Sequence, residues 1–248
     1  MATVLVTGGT GTLGSHVVEG LRSRGHEVRV LSRRQGVAAT HVGDLTTGAG
    51  VAEAVEGAQW VVHAASDTRR FGRQDVAQTR HLLDAARNGI EHLVYVSIVG
   101  IDAIPFAYYR RKLQCEELIE GSGVPSTIVR ATQFHELLAM ALAALEKSPL
   151  APLPAGFRFQ PVAAREAAIR TVDVVETGPT GRADDFGGPQ VLDVVEIARA
   201  WRSHRGRPRR FFSLPLPGEV ARGFREGRNT CPAHCDGKQT WEQFLAEE

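Results

Sequence analysis

Disulfide bonds and membrane spans are the first features that this sequence lacks. Its 248 residues include three cysteines, Cys115, Cys231 and Cys235, which are too few for a disulfide framework. No apolar run approaches the length that a bilayer-spanning helix needs, and the first residues resemble a strand more than a signal peptide. We therefore expect a cytoplasmic protein without a membrane partner.

An excess of either charge is also missing. There are 29 Lys and Arg residues against 28 Asp and Glu residues, a formal net charge of +1, so the overall charge does not favour nucleic acid as a partner. One basic cluster, between Arg202 and Arg210, lacks interleaved aromatic rings and is interpreted as a solvated helix end and loop. With 43% hydrophobic residues, the chain has the composition and length of one large globular domain.

A metal site would need more ligands than the segment from Cys231 to Cys235 offers. Cys231, His234 and Cys235 are three potential ligands within five residues, whereas a structural zinc site uses four. No fourth ligand lies nearby, and Pro232 restricts the loop. We therefore predict a surface loop and no metal.

Glycine is the residue that this sequence concentrates, in a run near its start. The run consists of Gly8, Gly9, Thr10, Gly11, Thr12, Leu13 and Gly14. It lies between a predicted strand and a predicted amphipathic helix, and Gly9, Gly11 and Gly14 fit the pattern G-x-G-x-x-G. In this context the three glycines favour, in order, a tight turn, a close approach of the backbone to a pyrophosphate and close packing of helix on strand. A helix N-terminus adds free N–H groups and the positive end of a dipole, so we predict a dinucleotide site rather than a purely structural turn.

The end of the second predicted strand indicates which dinucleotide binds. A carboxylate there would bind the ribose 2′-hydroxyl of NAD, whereas arginines would pair with the 2′-phosphate of NADP. The sequence has Ser32, Arg33 and Arg34 at this point. We predict that NADP(H) is preferred over NAD(H); two arginines in a solvated loop are the alternative.

Strands and helices alternate up to about residue 130, which predicts an α/β fold of the Rossmann type, a doubly wound parallel sheet. The fourth strand ends in Ala64, Ala65 and Ser66, whose small side chains would let a cofactor lie across the strand end. We predict a single NAD(P)-binding domain over 1–248, with a Rossmann core over 1–132 and a substrate-lining C-terminal lobe over 133–248. The predicted strands are 3–7, 27–31, 39–45, 59–62, 92–96, 126–129 and 209–213, and the later predicted helices are 73–88, 106–120, 137–146, 162–175, 194–203 and one that opens at the capping-box pattern 240–243.

The helix predicted from Phe106 carries Tyr108 and Lys112, which are four residues apart and therefore share a face. A lysine beside a tyrosine favours the phenolate, which makes the phenol a better proton donor near neutral pH. Ser97, at the end of the preceding strand, could hold a substrate oxygen. Together with a hydride donor these three residues would form a carbonyl reductase; a packing tyrosine with a solvated lysine is the alternative.

Three further residues follow the sixth predicted strand, namely Gln133, Phe134 and His135. They could line a substrate pocket, and His135 could act as an acid or base near pH 7. For both His135 and His63, however, a hydrogen-bonded histidine in the core or at its rim is the preferred interpretation.

Four segments resemble the short-chain dehydrogenase/reductase superfamily, and in particular its atypical, NmrA-like NAD(P)H-binding branch. These segments are Thr7–Gly14, Tyr95–Gly100, Tyr108–Lys112 and Arg130–Phe134, and residues 240–245 are similar to the tail of bacterial members. The resemblance implies that NAD(P)H lies across the strand ends, with Arg33 near the 2′-phosphate and Asp44 and Leu45 at the adenine. It further implies that Ala64, Ala65 and Ser66 lie along the cofactor and that Lys112 contacts the nicotinamide ribose.

The resemblance also leaves alternatives open. Members with a full active site often have a second small hydroxyl residue where this chain has Ile98, and some members are redox sensors that bind the dinucleotide without catalysis. Such sensors tend to lack the Tyr/Lys pair. We therefore expect an NADPH-dependent oxidoreductase acting on a small carbonyl or quinone-like compound, as a monomer or homodimer. A sensor is the main alternative; a sugar-nucleotide epimerase would fit the fold, but no second anionic pocket is readable.

Overall fold

A computed structural model describes residues 1–34, 36, 40–87, 89–147, 151–206 and 211–247. Within these ranges the chain forms two compact units. The first comprises Met1–Ser97, Ala107–Arg130 and Ala167–Asp184, and the second comprises Ile98–Phe106, Ala131–Glu166 and Asp185–Glu248. The chain leaves the first unit at residue 98, returns at 107, leaves again at 131, returns at 167 and leaves for the last time at 185. The prediction of a single domain stays a prediction.

The secondary structure follows the predicted alternation closely. The strands are β1 (Thr3–Thr7), β2 (Glu27–Ser32), β3 (His41–Val42), β4 (Trp60–His63), β5 (His92–Ile98), β6 (Ser126–Ala131), β7 (Ala151–Pro154), β8 (Arg158–Phe159), β9 (Gly181–Arg182), β10 (Leu192–Asp193) and β11 (Phe211–Leu214). The helices are α1 (Thr12–Ser23), α2 (Val51–Val55), α3 (Asp75–Ala86), α4 (Ala107–Glu120), α5 (His135–Leu145), α6 (Ala164–Thr177), α7 (Val194–Arg205), α8 (Glu219–Arg225) and α9 (Trp241–Glu247). A single 3₁₀ turn at Thr68–Arg70 precedes α3.

The first unit is built on a seven-stranded parallel sheet with the order β3-β2-β1-β4-β5-β6-β9. Its central strand β1 has Val4, Leu5 and Val6 fully buried, as expected for a parallel strand that is covered on both faces. The order reverses between β1 and β4, which pair so that Thr7 lies beside His63. Ligands of such sheets bind at the carboxyl ends of the strands beside this reversal. The predicted Rossmann-type α/β fold is confirmed.

The second unit has its own hydrophobic core, which is rich in aromatic rings. Trp201, Trp241 and Phe244 pack together on helices α7 and α9. Helix α9 opens with the predicted capping box, in which the Thr240 N–H donates to Gln243 Oε1 at 2.8 Å and the Gln243 N–H donates to Thr240 Oγ1 at 3.2 Å. The predictions did not include α8, β7 or the two-residue strands β8 to β10, which are too short to show a hydrophobic period.

Some predictions fall outside the described ranges. Residues 207–210 carry part of the basic cluster and the start of the strand predicted at 209–213, and residue 39 opens the strand predicted at 39–45. In the described ranges, no helix combines the length and the apolar content that crossing a membrane requires.

A buried ion pair joins helix α4 to strand β6. Arg130 Nε donates to Glu116 Oε1 at 2.9 Å, and Arg130 Nη2 donates to Glu116 Oε2 at 2.5 Å. Both side chains are almost fully buried. The two-pronged geometry satisfies both carboxylate oxygens, which offsets part of the cost of removing the two charges from water.

We expect Glu116→Gln to lower the free energy of unfolding by about 3 kcal/mol, because the buried pair then loses the negative charge of its carboxylate. Urea denaturation of the two proteins measures the difference. The matched control is Asp84→Asn, which breaks the exposed pair of Asp84 with Arg87 and should cost less than about 1 kcal/mol. Equal effects of the two substitutions would contradict a stabilising role for the buried pair.

Candidate active site

The glycine run forms a close turn against the segment that follows β4. Gly8 has φ +72°, and a Cβ added to it would lie 2.6 Å from the backbone nitrogen of Ala65. A Cβ on Gly14 would overlap the carbonyl oxygen of Gly8. The turn is closed by the Gly11 N–H, which donates to the Gly8 carbonyl at 2.9 Å, so it contains Gly9 and also needs a glycine at Gly8. The prediction for Gly14, that helix α1 needs a glycine to pack closely, is confirmed.

The N-terminus of α1 is open to a ligand. Its N-cap, Gly11, is extended, no side chain caps the helix, and the first turn contains no acidic residue. Thr10, Gly11 and Thr12 are exposed, whereas the Leu13 side chain is buried and leaves only its main chain available. Uncapped N–H groups and the positive end of the helix dipole suit an anion, and the glycine turn leaves no side chain in the way. These residues fit the pyrophosphate of a dinucleotide.

Arg33 and Arg34 lie just beyond β2 with exposed side chains. The Arg34 N–H donates to Ser32 Oγ at 3.3 Å, which closes a local turn. In the part of the chain that the structure describes, neither guanidinium group makes an ion pair or a hydrogen bond. Both are therefore available to a ligand phosphate.

Asp44 and Leu45 differ in what they could offer to an adenine. The Asp44 side chain is half-buried and accepts a hydrogen bond from the Thr46 N–H at 2.8 Å. The Leu45 side chain packs in the core of the first unit, and its carbonyl accepts a hydrogen bond from His81 Nδ1 at 2.8 Å. Leu45 therefore supports this loop through packing.

Tyr108 lies at the end of a chain of hydrogen bonds. Its hydroxyl is 2.9 Å from Ser66 Oγ, and Ser66 Oγ donates to Asp75 Oδ2 at 2.6 Å. Ser66 directly follows Ala65, which contacts the turn at Gly8. The Tyr108 hydroxyl is thus connected through one hydroxyl and one backbone contact to the glycine turn.

Lys112 is buried near these hydrogen bonds, and its ammonium group contacts groups other than the expected Tyr108. Its Nζ donates to the carbonyl oxygen of Val96 at 2.8 Å and lies 4.1 Å from the centroid of the Tyr95 ring. Burial lowers the pKa of Lys112, and the negative charge of Asp75 opposes that shift. Among the hydrogen bonds of the described residues, none joins Tyr108 to Lys112 or to Ser97.

The electrostatic prediction for Tyr108 is wrong. Burial raises the pKa of Tyr108 to about 12; a hydrogen bond between Ser66 and the phenolate opposes the shift, and the charges of Asp75 and Cys115 add to it. The spacing Y-x-x-x-K places the lysine on the same helix face but does not fix where its long side chain ends. Here the side chain reaches the strand below, so the ammonium group does not contact the phenol.

Ser97 and His63 complete the buried polar groups near the strand ends. Ser97 is buried, and its hydroxyl lacks a hydrogen-bond partner within the described ranges, which suits a group that meets a ligand. His63 is hydrogen-bonded to Thr7 Oγ1 at 2.7 Å and to Thr79 Oγ1 at 3.3 Å. Burial, with the charge of Lys112, lowers the pKa of His63 to about 3. His63 is the hydrogen-bonded core histidine that the sequence favours.

The residues after β6 belong to the core of the second unit. Gln133 is buried, and its Nε2 donates to the carbonyl oxygen of Asn229 at 3.1 Å. His135 is fully buried, stacks on Phe244 with ring centroids 5.0 Å apart and has its pKa lowered to about 4 by burial. The suggestion that His135 is an acid or base near pH 7 is therefore wrong. Phe134 is half-buried, and its backbone pairs with Val162.

Sequence reasoning missed Asp75, the buried residue that opens α3. An acidic residue in the first turn of a helix is common, because it interacts favourably with the helix dipole, so nothing in the local pattern distinguishes Asp75. Elsewhere, burial raises the pKa of Cys231 to about 12. In the described ranges, no three His, Cys, Asp or Glu side chains are placed to hold a metal ion.

Comparison with known proteins shows the family. Residues 8–139, more than half of the chain, match a family described as NAD(P)H-binding. The chain is 30% identical to (4-alkanoyl-5-oxo-2,5-dihydrofuran-3-yl)methyl phosphate reductase of Streptomyces griseus, over 85% of this chain and 77% of that protein. It is also 30% identical to the chloroplastic divinyl chlorophyllide a 8-vinyl-reductase of Oryza sativa, over 86% of this chain but only 61% of that longer protein.

A solved structure shares the fold. The NADPH complex of an NADPH-dependent quinone oxidoreductase from Escherichia coli superposes with a TM-score of 0.80 at 17% identity, over 98% of this chain and 99% of that one. The glycine turn, the open helix N-terminus and the sheet order agree with the matched family. The chain belongs to the NAD(P)H-binding family, which confirms its resemblance to the NmrA-like branch of the short-chain dehydrogenase/reductase superfamily.

Proposed function

We propose that the protein is an NADPH-dependent oxidoreductase that reduces a small carbonyl or quinone-like compound, with Tyr108 as the proton donor. The observation that carries the proposal is the connection from the glycine turn through Ala65 and Ser66 to the Tyr108 hydroxyl. It joins the predicted dinucleotide site to a half-buried acid within one compact unit.

The preference for NADP(H) rests on the end of β2. Arg33 and Arg34 offer two exposed guanidinium groups there, and Ser32 stands where a carboxylate would bind an NAD ribose. The residues from Gly8 to Gly14 would hold the pyrophosphate through main-chain N–H groups. A reduced nicotinamide bound across the strand ends would supply the hydride.

Tyr108 would supply the proton. Its high pKa, about 12, keeps the hydroxyl protonated at neutral pH, so the acid is loaded before substrate arrives. An alkoxide that forms on the oxygen of an aldehyde or ketone is a stronger base than a phenolate, and it would therefore take the proton from Tyr108 Oη. The Ser97 hydroxyl, which has no hydrogen-bond partner among the described residues, would donate a hydrogen bond to the same substrate oxygen, and Lys112 would contact the nicotinamide ribose.

The substrate class rests on the names of the similar proteins. One is a reductase of a compound that carries oxo and alkanoyl groups, and the other is a quinone oxidoreductase. The compounds in both names have carbonyl groups.

A dinucleotide-binding redox sensor is the second candidate. Lys112 donates to the Val96 carbonyl, and the pKa of Tyr108 is high. An efficient acid–base catalyst has a pKa near the working pH, so these two observations favour the sensor.

The first test is a fluorescence titration with NADPH and NADH. We expect the double substitution Arg33→Ala/Arg34→Ala to weaken NADPH binding at least about tenfold, because charge-assisted hydrogen bonds to the 2′-phosphate are lost. Binding of NADH, which lacks that phosphate, should stay within about twofold. The control is Arg87→Ala, an exposed arginine on another part of the unit. Equal affinities of the wild type for NADPH and NADH would refute the preference for NADP(H).

The second test is the turnover of Tyr108→Phe. With quinones and aldehydes as substrates, NADPH oxidation should fall at least about 100-fold because the substrate oxygen loses its proton donor, while the Kd for NADPH is unchanged. Tyr109→Phe, at the neighbouring buried tyrosine, is the matched control and should turn over within about threefold of the wild type. A Tyr108→Phe protein as active as the wild type would rule out Tyr108 as the donor and favour the sensor.

A further inference from the structure

Asp75 is a buried carboxylate with no obvious structural need for its charge. It is 2% exposed, and within the described ranges no lysine, arginine or histidine forms an ion pair with it. Both carboxylate oxygens accept hydrogen bonds: Oδ2 from Ser66 Oγ at 2.6 Å and Oδ1 from the Asp67 N–H at 2.7 Å. Because an unpaired buried charge is costly, its position invites a functional explanation.

The polarity of the hydrogen-bond chain follows from counting protons. Ser66 has one hydroxyl proton and donates it to Asp75, so its oxygen can only accept from Tyr108. The proton of Tyr108 therefore points toward Ser66. Asp75 thus sets the direction of the Tyr108 hydroxyl through Ser66. Among the described side chains, Ser66 hydrogen-bonds only to Asp75 and Tyr108.

The loop before α3, which lies against Tyr108 and Asp75, has a strained backbone. Phe71 has φ +53°, unusual for a residue with a Cβ, and its carbonyl accepts a hydrogen bond from Arg111 Nη1 of α4 at 2.6 Å. At Gly72, which has φ +71°, an added Cβ would lie 2.9 Å from Cδ2 of the Tyr108 ring and 3.1 Å from Asp75 Oδ2. A glycine is thus required where the loop passes between Tyr108 and Asp75. Backbone strain of this kind collects at functional sites.

We propose that Asp75 is a positioning residue for Tyr108: by accepting the hydrogen bond of Ser66 it makes Ser66 the acceptor for Tyr108, and so it orients the phenol hydroxyl. The inference rests on the proposed function of Tyr108 as proton donor. In that step the O–H bond of Tyr108 breaks and an O–H bond on the substrate forms, which leaves a phenolate. Ser66 then turns its hydroxyl from Asp75 to the phenolate, and solvent returns the proton.

The charged and titratable groups around Tyr108 come from three elements besides the loop of Ser66. They are Asp75 on α3, Lys112 and Cys115 on α4 and Tyr95 on β5. Burial, Asp75 and Cys115 raise the pKa of Tyr108, and Ser66 alone lowers it. Removing the charge of Asp75 should therefore lower the pKa of Tyr108, whereas a merely structural carboxylate would leave it unchanged.

The decisive variant is Asp75→Asn, whose amide N–H would donate to Ser66 and reverse the polarity of the chain. Ser66 would then donate to Tyr108, and both changes favour the phenolate. We expect the tyrosinate absorbance of Tyr108 to titrate at least about one pH unit lower than in the wild type. The same titration of Tyr108→Phe identifies the signal, and Asp84→Asn, an exposed carboxylate on the same helix, should cause no shift. An unshifted titration in folded Asp75→Asn would overturn the proposal.

Substitutions of Ser66 decide the matter if Asp75→Asn does not fold. Ser66→Ala removes the link and should lower kcat about tenfold, and Ser66→Thr, which keeps the hydroxyl, should restore most of it. If Ser66→Ala and Ser66→Thr have the same kcat, the hydroxyl does not act on Tyr108 and the proposal fails.

The two proposals fail in different ways. Full turnover by Tyr108→Phe would end the role of Tyr108 as donor, whatever the titrations give. Loss of turnover in Tyr108→Phe together with an unshifted Asp75→Asn titration would leave the donor in place and remove only Asp75 from the mechanism.

Discussion

The contact on which the rest of the site depends is the one between the backbone of Gly8 and the backbone of Ala65. It exists because Gly8 has no side chain, and it occurs where the strand order reverses between β1 and β4. The contact leaves the first turn of α1 open and places Ser66, the next residue, within reach of Tyr108. A side chain at Gly8 would displace the loop that carries Ser66, so the geometry of the phosphate site and that of the acid are not independent.

The buried charges of Lys112 and Asp75 are held without a contact ion pair among the described residues. Lys112 is buried but donates to a backbone carbonyl and lies over an aromatic ring, and Asp75 is buried but accepts from a hydroxyl and a backbone N–H. The two charges still act on each other through space, since Asp75 opposes the effect of burial on the pKa of Lys112. Asp75 therefore favours the charged form of Lys112 without contacting it.

The sequence correctly predicted features that depend on residues close together in the chain. The alternation of strands and helices, the close packing at Gly14 and the capping box at Thr240 all follow from periods and spacings within a few residues. The errors concern side chains whose partners are distant in sequence. The end of the Lys112 side chain meets Val96, and the ring of His135 meets Phe244, so neither position could be read from the motif that contains the residue. Asp75 was missed for the same reason, because its relation to Tyr108 passes through Ser66 and a strained loop.

A high pKa at Tyr108 has a consequence for the direction of the proposed reaction. A tyrosine that titrates near neutral pH can serve equally as an acid for reduction and as a base for oxidation. With its pKa raised to about 12, Tyr108 is almost never a phenolate in the resting protein, so an alcohol entering the site would find no base. Reduction needs no base, because the Tyr108 hydroxyl already carries the proton. The phenolate forms only after the substrate oxygen has taken that proton. If Tyr108 is the proton donor that we propose, its burial and the charge of Asp75 would favour reduction, and a hydrogen bond from Ser66 to the phenolate would oppose that preference.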